Sequence, residues 1–357
     1  MSATTDSTRT TDVTRHLQET LHWHFSPETG SPFWLRRRDS LGFDPLTDIE
    51  SLADLRRFPD VSDELRTVPA DLLVPAGAAG NPFEVYESGG TLGAPKRVVE
   101  HSSRMEGVDW VETMLPAFGG SGHWLHVGPT GPHIVGRSVR RLAQLRRSMF
   151  FTVDFDPRWV KLLIRTDRRQ LADEYVQHVL DQVELIAQSQ DIRVLFITPP
   201  VLEALCGREK LYARLADRVT GIIWSGTSIS GTALRLLQTE FFPQAEVRGI
   251  YGNSLMGIAP QRAPEPGDTH ACVFRTFQPR SIVHVVDPES GERVAPGERG
   301  RVLVHLLTKD LFLPNVMERD TAVRIAAEGA DPDAGDDLAD VQPFRQVAGA
   351  QVIEGVY

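Results

Sequence analysis

A set of short apolar runs, Trp124 to Val127, Val194 to Thr198 and Gly221 to Trp224, constrains the fold more than any other feature of the sequence. Each is short enough to be one buried strand. Between them lie helical stretches, Tyr175 to Gln188 and Thr232 to Phe242, whose apolar spacing suits the covering of a sheet. This alternation predicts an α/β protein, layered β-sheets covered by helices.

The flanking sections read differently. Residues 1 to 12 read as a disordered leader; Val13, Leu17 and Leu21 share one face of a helix, and Asp48 to Arg57 reads as a short amphipathic helix closed by Pro59. Beyond the α/β part, Ser281 to Asp287 and Gly300 to Leu307 alternate around a turn-rich insert and predict a hairpin in a β-rich subdomain. Phe344 to Tyr357 has strand-like character. The expected division is residues 1–75 for a leader and helices packing on the core, 76–270 for the α/β core and 271–357 for the β-rich subdomain.

Composition excludes several classes. With 357 residues, 41% of them hydrophobic, the chain can bury a substantial core. Lys plus Arg number 38 and Asp plus Glu 48, a net charge of −10 that argues against a nucleic-acid binder. Cys206 and Cys272 show no CxxC pairing, so neither a disulfide framework nor a zinc ribbon is expected. No run approaches the roughly 18 to 20 apolar residues of a membrane span, and no signal peptide is evident, so a cytoplasmic protein is expected.

Several charged clusters have a plain reading. His22 and His24 flank Trp23 without a third ligand nearby, which favours packing over metal binding. The acidic run of Asp331, Asp333, Asp336, Asp337 and Asp340 lacks the bidentate Glu of a calcium loop and reads as a solvated loop. Arg137, Arg140, Arg141, Arg146 and Arg147 form the basic face of a helix with Val139, Leu142 and Leu145 inward, either solvated and ion-paired or a dock for an acidic carrier protein. Arg36, Arg37 and Arg38 are uninformative.

The strongest chemical signal is Ser88-Gly89-Gly90-Thr91-Leu92-Gly93-Ala94-Pro95-Lys96, after the strand-like Phe83 to Tyr86. Three glycines let the backbone turn tightly and offer N–H groups to phosphate oxygens; Ser88 and Thr91 add hydroxyls and Lys96 a point charge. The spacing is not that of a Walker A loop, and alone such a turn is more often an ordinary hairpin.

The stretch resembles the phosphate loop of the ANL superfamily of acyl-adenylating enzymes, and further segments match that family in order. Ile197-Thr198-Pro199-Pro200 is similar to a strand-to-helix turn of phenylacetate-CoA ligase relatives, and Trp224 to Ser230 to the adenine-side turn. Tyr251-Gly252-Asn253-Ser254-Leu255-Met256-Gly257 is similar to Y-G-x-[ST]-E-x-G, Val285 to Gly300 to the family hairpin, and Leu307 to Asp310 with Arg319-Asp320 to the ribose-binding strand. The resemblance spans about Tyr86 to Tyr357. It implies the adenylating N-terminal region of that family, with ATP as cofactor.

Position by position, the resemblance implies that Ser88, Gly89, Gly90, Thr91 and Gly93, with Lys96, hold the triphosphate, and that Gly226, Thr227 and Ser228 edge the adenine. Tyr251 would stack on the base beside Gly252 and Asn253, Ser254 would reach the α-phosphate and Asp320 would bind the ribose hydroxyls. Lys96 and Ser254 are the expected catalytic groups. By residue type alone, the preferred readings are a core aromatic for Tyr251 and a surface residue or helix cap for Asp320.

Two departures stand out. Leu255 replaces the family's magnesium-binding Glu, and leucine offers no oxygen to a hard cation, so magnesium placement is in doubt and no metal ligand is assigned. Val347 to Val356 resembles the hinge that precedes the family's C-terminal domain, so the chain is expected to lack that domain and its lysine. Loss of one transition-state stabiliser typically costs about 10²- to 10³-fold in rate, and the two together up to ~10⁶ if additive.

His133, Trp224, Gly249, Met256 and Gly257 are candidate walls of the acid pocket, glycines beside aromatics suiting a flat aryl acid. On residue type His133 is as readily a loop or core histidine. The chain resembles shortened adenylating proteins of phenazine antibiotic pathways. The expected function is ATP-dependent activation of a phenazine-like carboxylate as its acyl-adenylate, passed to a separate reductase, acyl acceptor or carrier, with a homodimer possible. The alternative is a degenerate, non-catalytic aryl-acid binding protein.

Overall fold

The computed structural model describes residues 3–90, 93–326 and 335–344, with side chains from residue 12 onward. Thr91, Asp331, Asp333 and the hinge-like Val347 to Val356 lie outside the described residues. Helices α1 (Ala3–Phe25) and α2 (Pro32–Leu35) and a series of 3-10 turns precede the hairpin of β1 (Glu84–Glu87) and β2 (Arg97–Glu100). Then follow α3 (Ser103–Met114), β3 (His123–Gly128), α4 (Ile134–Leu145), β4 (Phe150–Asp154), α5 (Pro157–Arg165), α6 (Arg169–Ser189) and β5 (Ile192–Ile197). Next come α7 (Pro199–Cys206), α8 (Glu209–Ala216), β6 (Gly221–Ser225), α9 (Gly231–Leu236) and β7 (Glu246–Asn253). Strands β8 (Gly257–Pro260), β9 (Val273–Phe274), β10 (Ser281–Val286), β11 (Arg299–Leu307), β12 (Phe312–Ile325) and β13 (Asp337–Pro343) complete the described chain.

In space the chain groups into two units that do not follow sequence order. The described residues of Met1–Gly107, Asn253–Ala259 and Val273–Gln346 form the first, and those of Val108–Gly252 and Pro260–Cys272 the second.

The second unit holds parallel strands in the order β4-β3-β5-β6-β7. Every residue of β6 is buried, as the apolar run predicts for a strand covered on both faces. The order reverses at β3: the chain moves to β4 on one side, then to β5 on the other. The crevice at the carboxyl ends of strands flanking such a reversal is where open α/β sheets bind ligands. The loop after β3 and the start of α7 after β5 border it.

The first unit holds an antiparallel sheet in the order β10-β11-β12-β13-β9 and the β1-β2 hairpin. The N-terminal helices join this sheet through aromatics: Phe25, Trp34, Phe58 and Phe312 pack with ring centroids 5.4 to 5.8 Å apart, and Trp34 Nε1 donates to the Phe312 carbonyl at 3.0 Å. Asp310 caps α3 from a distance, its Oδ2 accepting the N–H groups of His101, Ser102 and Ser103 at 2.7 to 3.0 Å. A carboxylate there meets orphan donors and the positive end of the helix dipole.

The structure corrects several sequence readings. The leader is helical from Ala3, and the Asp48 to Arg57 segment is a 3-10 stretch, Leu52–Arg57, closed by a Ser51/Asp54 capping box. In the acidic run, Asp336 and Asp337 are buried: Asp336 pairs with Arg324 at 2.7 Å and with Arg293, and Asp337 with Arg275 at 2.7 Å. Buried carboxylates persist only with such partners. On α4, Val139 and Leu142 are buried but Leu145 is exposed. Its basic face is engaged within the chain: Arg141 grips Asp109 through two 2.7 Å bonds, Arg146 binds Glu112 and Arg140 lies over Phe150. His24 and His22 pack rather than assemble a metal site, binding the Thr308 carbonyl and Ser26. Among the described residues no helix is long and apolar enough to cross a membrane.

Four histidines are shut inside the units. Burial lowers His24 and His126 to about 4, His284 to about 3 and His305 well below the ordinary value of 6.5, with guanidinium groups adding to the effect at the last two. The unfolded chain takes up these protons first, so stability is full above pH 6.5 and falls as pH drops toward the folded values. Each histidine adds to the loss in that window. Urea unfolding should show a steep fall in stability between pH 7 and pH 5, lessened in a His126→Phe variant; a pH-independent midpoint would contradict this account.

Candidate functional site

In the first unit the glycine loop joins β1 to β2, paired antiparallel from Glu84↔Glu100 to Glu87↔Arg97. Ser88 closes its neck: its N–H donates to the Lys96 carbonyl at 2.9 Å, and its Oγ accepts the Lys96 N–H at 2.8 Å. Gly90 and Gly93 adopt φ of +63° and +133°, a left-handed backbone that strains any other residue.

A second segment grips the loop. Lys96 Nζ donates to Ser62 Oγ at 2.7 Å and lies 3.6 Å from Asp63, while the Arg66 guanidinium donates to the Ala94 carbonyl. Asp60 fastens this segment to β12, accepting the N–H groups of Ser62 and Met317 at 2.8 and 3.1 Å. Glu318 and Asp320 stand on β12 between Met317 and Thr321, where its pairing with β11 shifts register. Burial first, then the charge of Asp320, raises Glu318 to about 6, while Lys96 and Arg319 act in the opposite direction. Glu318 Oε1 is shut off from water with no hydrogen-bond partner among the described residues.

The turn between β7 and β8 completes this part. Ser254 Oγ donates to the Glu87 carbonyl at 3.3 Å, which sets Ser254 beside the head of the glycine loop. Beneath it, Arg104 donates to the Ser254 carbonyl at 2.8 Å and to Glu100 at 2.5 and 2.9 Å, both side chains buried. Met256 is buried, its carbonyl accepting from Ser281 Oγ at 2.8 Å. Leu255 is 4% exposed and packs as a core residue. It has no donor for a hard cation, and no group of three or more His, Cys, Asp or Glu among the described residues is placed to hold a metal. The residues around position 255 therefore do not fit a protein-held magnesium ion.

The second unit carries the other expected residues. Trp224 is buried at the end of β6, in register with Gly249 on β7. Gly249 exchanges two 2.9 Å hydrogen bonds with Gln261, through its N–H to Oε1 and its carbonyl to the Gln261 N–H. Ser225 pairs with Ile250, so the continuations Gly226 to Ser228 and Tyr251 to Gly252 leave neighbouring strands side by side. Gly226 turns with φ +89°, Thr227 Oγ1 is buried without a partner among the described residues and Ser228 is exposed. His133 caps α4 at the end of the loop after β3, its N–H bonded to the Thr130 carbonyl at 2.9 Å. Asp154 fixes that loop by accepting from Thr130 N and Oγ1 at 2.8 and 2.5 Å.

Of the expected residues, Ser88, Gly89, Gly90, Gly93, Lys96, Asn253, Ser254, Met256, Gly257 and Asp320 belong to the first unit, and His133, Trp224, Gly249, Gly226, Thr227, Ser228, Tyr251 and Gly252 to the second. Sequence reading missed Ser62, Asp63, Glu318 and the Arg104–Glu100 pair. None lies in a motif, and Glu318 stands on a strand that also carries Arg319, Asp320 and Arg324, so its charge alone does not set it apart.

No family model matches the sequence, and no curated protein matches it either. Solved structures do. A structure of 2-hydroxyisobutyryl-CoA ligase with 2-HIB-AMP and CoA in an open conformation superposes with a TM-score of 0.64 at 16% identity, over 94% of this chain and 70% of that one. The same ligase in its thioesterification state gives 0.63 at 13% identity, over 95% and 69%. The chain has the fold of this ligase. The shared architecture is a mixed α/β arrangement of sheets covered by helices.

Gly257 is the residue where backbone and side-chain demands meet most tightly. It adopts φ +100°, and a Cβ there would lie 2.9 Å from Arg104 Nη1. Because that guanidinium is held by Glu100 and Ser254, it cannot withdraw cheaply. Gly257→Ala should destabilise the protein by about 1–3 kcal/mol in thermal or urea unfolding, and an unchanged midpoint would refute this packing argument.

Proposed function

We propose that this protein activates a flat aryl carboxylic acid, of the phenazine-like class, with ATP to give its acyl-adenylate. One carboxylate oxygen forms a new bond to the α-phosphorus, the bond from that phosphorus to the bridging oxygen breaks, and pyrophosphate leaves. The observation that carries this reading is the glycine loop itself, with two left-handed glycines, a closed neck and a lysine held at its foot by Ser62.

In this reading Lys96 meets the developing phosphoryl charge, Ser254 contacts the α-phosphate and Asp320 accepts the ribose hydroxyls. Tyr251 offers a face to the base, with Gly226, Thr227 and Ser228 along its edge. The acid is assigned to the sheet crevice near His133 and Trp224, in keeping with the strand-order reversal. The adenylate then passes to a separate nucleophile, reductase or carrier. No step is routed through a protein-held cation.

ATP–pyrophosphate exchange with a panel of aryl acids tests the reading. Exchange should appear with at least one acid, and Lys96→Ala should lower it by about 10²- to 10³-fold. Failure of every acid, together with no ATP binding by calorimetry, overturns it. The buried Leu255 favours a second reading, a binding protein for aryl acids. It predicts acid binding of equal strength with and without ATP, and no exchange.

Glu318 adds a pH signature. Above about pH 6 its anion opposes phosphate and competes for Lys96; below, it is neutral. ATP affinity should therefore rise as pH falls through that value, and Glu318→Gln should remove the inflection. A Glu318→Gln profile identical to the wild type would show that the carboxylate does not face the nucleotide.

A further inference from the structure

Strand β4 terminates the parallel sheet of the second unit, with β3 as its neighbour. The Trp124 N–H donates to the Met149 carbonyl and the Phe155 N–H to the Gly128 carbonyl, so the odd-numbered residues of β4 turn their backbone groups toward β3. Phe150, Thr152 and Asp154 therefore turn theirs away from the sheet, and no strand among the described residues receives them. Edge strands are ordinarily blunted by lysine, proline or a bulge. The sequence Phe-Phe-Thr-Val-Asp contains neither residue, and the register between β3 and β4 runs without a shift.

The flanks of this edge carry exposed apolar side chains. Leu145 and Met149 are exposed on the approach to β4. Leu171, Tyr175, His178, Gln182 and Leu185 follow one another at helical spacing along α6; Tyr175 stacks on Phe155 at 5.6 Å, which sets the stripe beside β4, and Leu171 and Leu185 are exposed on it. Charge then selects the occupant. Phe150, Thr152 and Asp154 share the face that α4 covers: the Arg140 guanidinium lies 5.2 Å from the Phe150 ring centre near the start of the strand, and at its end Asp154 accepts from Thr130 through Oδ1. Arg140 and Asp154 are both exposed. A strand with a cation over its start and an anion at its end, on one face, is complementary to itself when antiparallel.

We propose that β4 pairs antiparallel with β4 of a second copy of this chain, about a two-fold axis through Thr152. Thr152 then lies opposite its own counterpart and Phe150 opposite the partner's Asp154, so the Arg140 above that ring meets the partner's carboxylate. A reciprocal ion pair closes each end, and the outward N–H and C=O groups of all three residues find partners. The pairing does not depend on the adenylation reading.

Sedimentation of the full chain over a micromolar concentration series tests this and should show a dimer. Thr152→Lys and Thr152→Asp each set like charges against each other across the axis, and each should raise the dimer dissociation constant at least about tenfold. An equimolar mixture of the two variants sets lysine opposite aspartate and should restore association. A wild-type monomer throughout the series, a Thr152→Lys dimer of wild-type strength, or a mixture no stronger than its components overturns the inference. If either variant melts early, hydrogen exchange of the wild type decides. The Thr152 amide, which faces away from β3, should exchange more slowly in concentrated than in dilute protein, and a rate independent of concentration overturns the pairing.

Discussion

The buried pair of Arg104 and Glu100 fixes the candidate site of the first unit. Two charges removed from water are tolerated only when they satisfy each other and their remaining donors, and Arg104 spends one of these on the Ser254 carbonyl. That bond ties the turn after β7 to β2, the strand that begins just after Lys96. The demand propagates into the sequence: residue 257 must be glycine because the guanidinium occupies the space of a Cβ. A motif glycine that reads as part of a substrate wall thus answers first to an ion pair.

The fold was legible where burial acts on contiguous residues. Strands covered on both faces read as unbroken apolar runs, so β3, β5 and β6 stand within a residue or two of their expected bounds. The β10-β11 hairpin was legible from its turn chemistry for the same local reason. What failed depended on partners distant in sequence. Asp336 and Asp337 look solvated until Arg324, Arg293 and Arg275 arrive from other strands. The polar residues from Ala3 to Asp12 carry weak helix propensity, yet they continue a helix whose later face is buried.

The candidate site divides along the same line. The glycine loop was legible because backbone conformation is written in local residue type. Its supports were not: Ser62 holds Lys96 across 34 positions, and nothing near Ser62 announces it. Glu318 owes its unusual chemistry to burial on β12 and to Asp320, neither of which the spacing of its neighbours reveals. In the second unit, His133 was identified by residue type, but its place comes from Asp154 binding Thr130 and from the order of the strands.

The interleaving of the two units has a consequence for how the chain is made. Synthesis delivers Val108 to Gly252, and with them the parallel strands β3 to β7, before β9 to β13 exist. The second unit's sheet is therefore available to assemble early on the ribosome. The N-terminal helices, by contrast, must wait with their aromatic faces uncovered until β12 emerges to receive Trp34 and Phe25. The interval between the translation of these helices and that of β12 is the one in which a chaperone or a misplaced apolar contact would act.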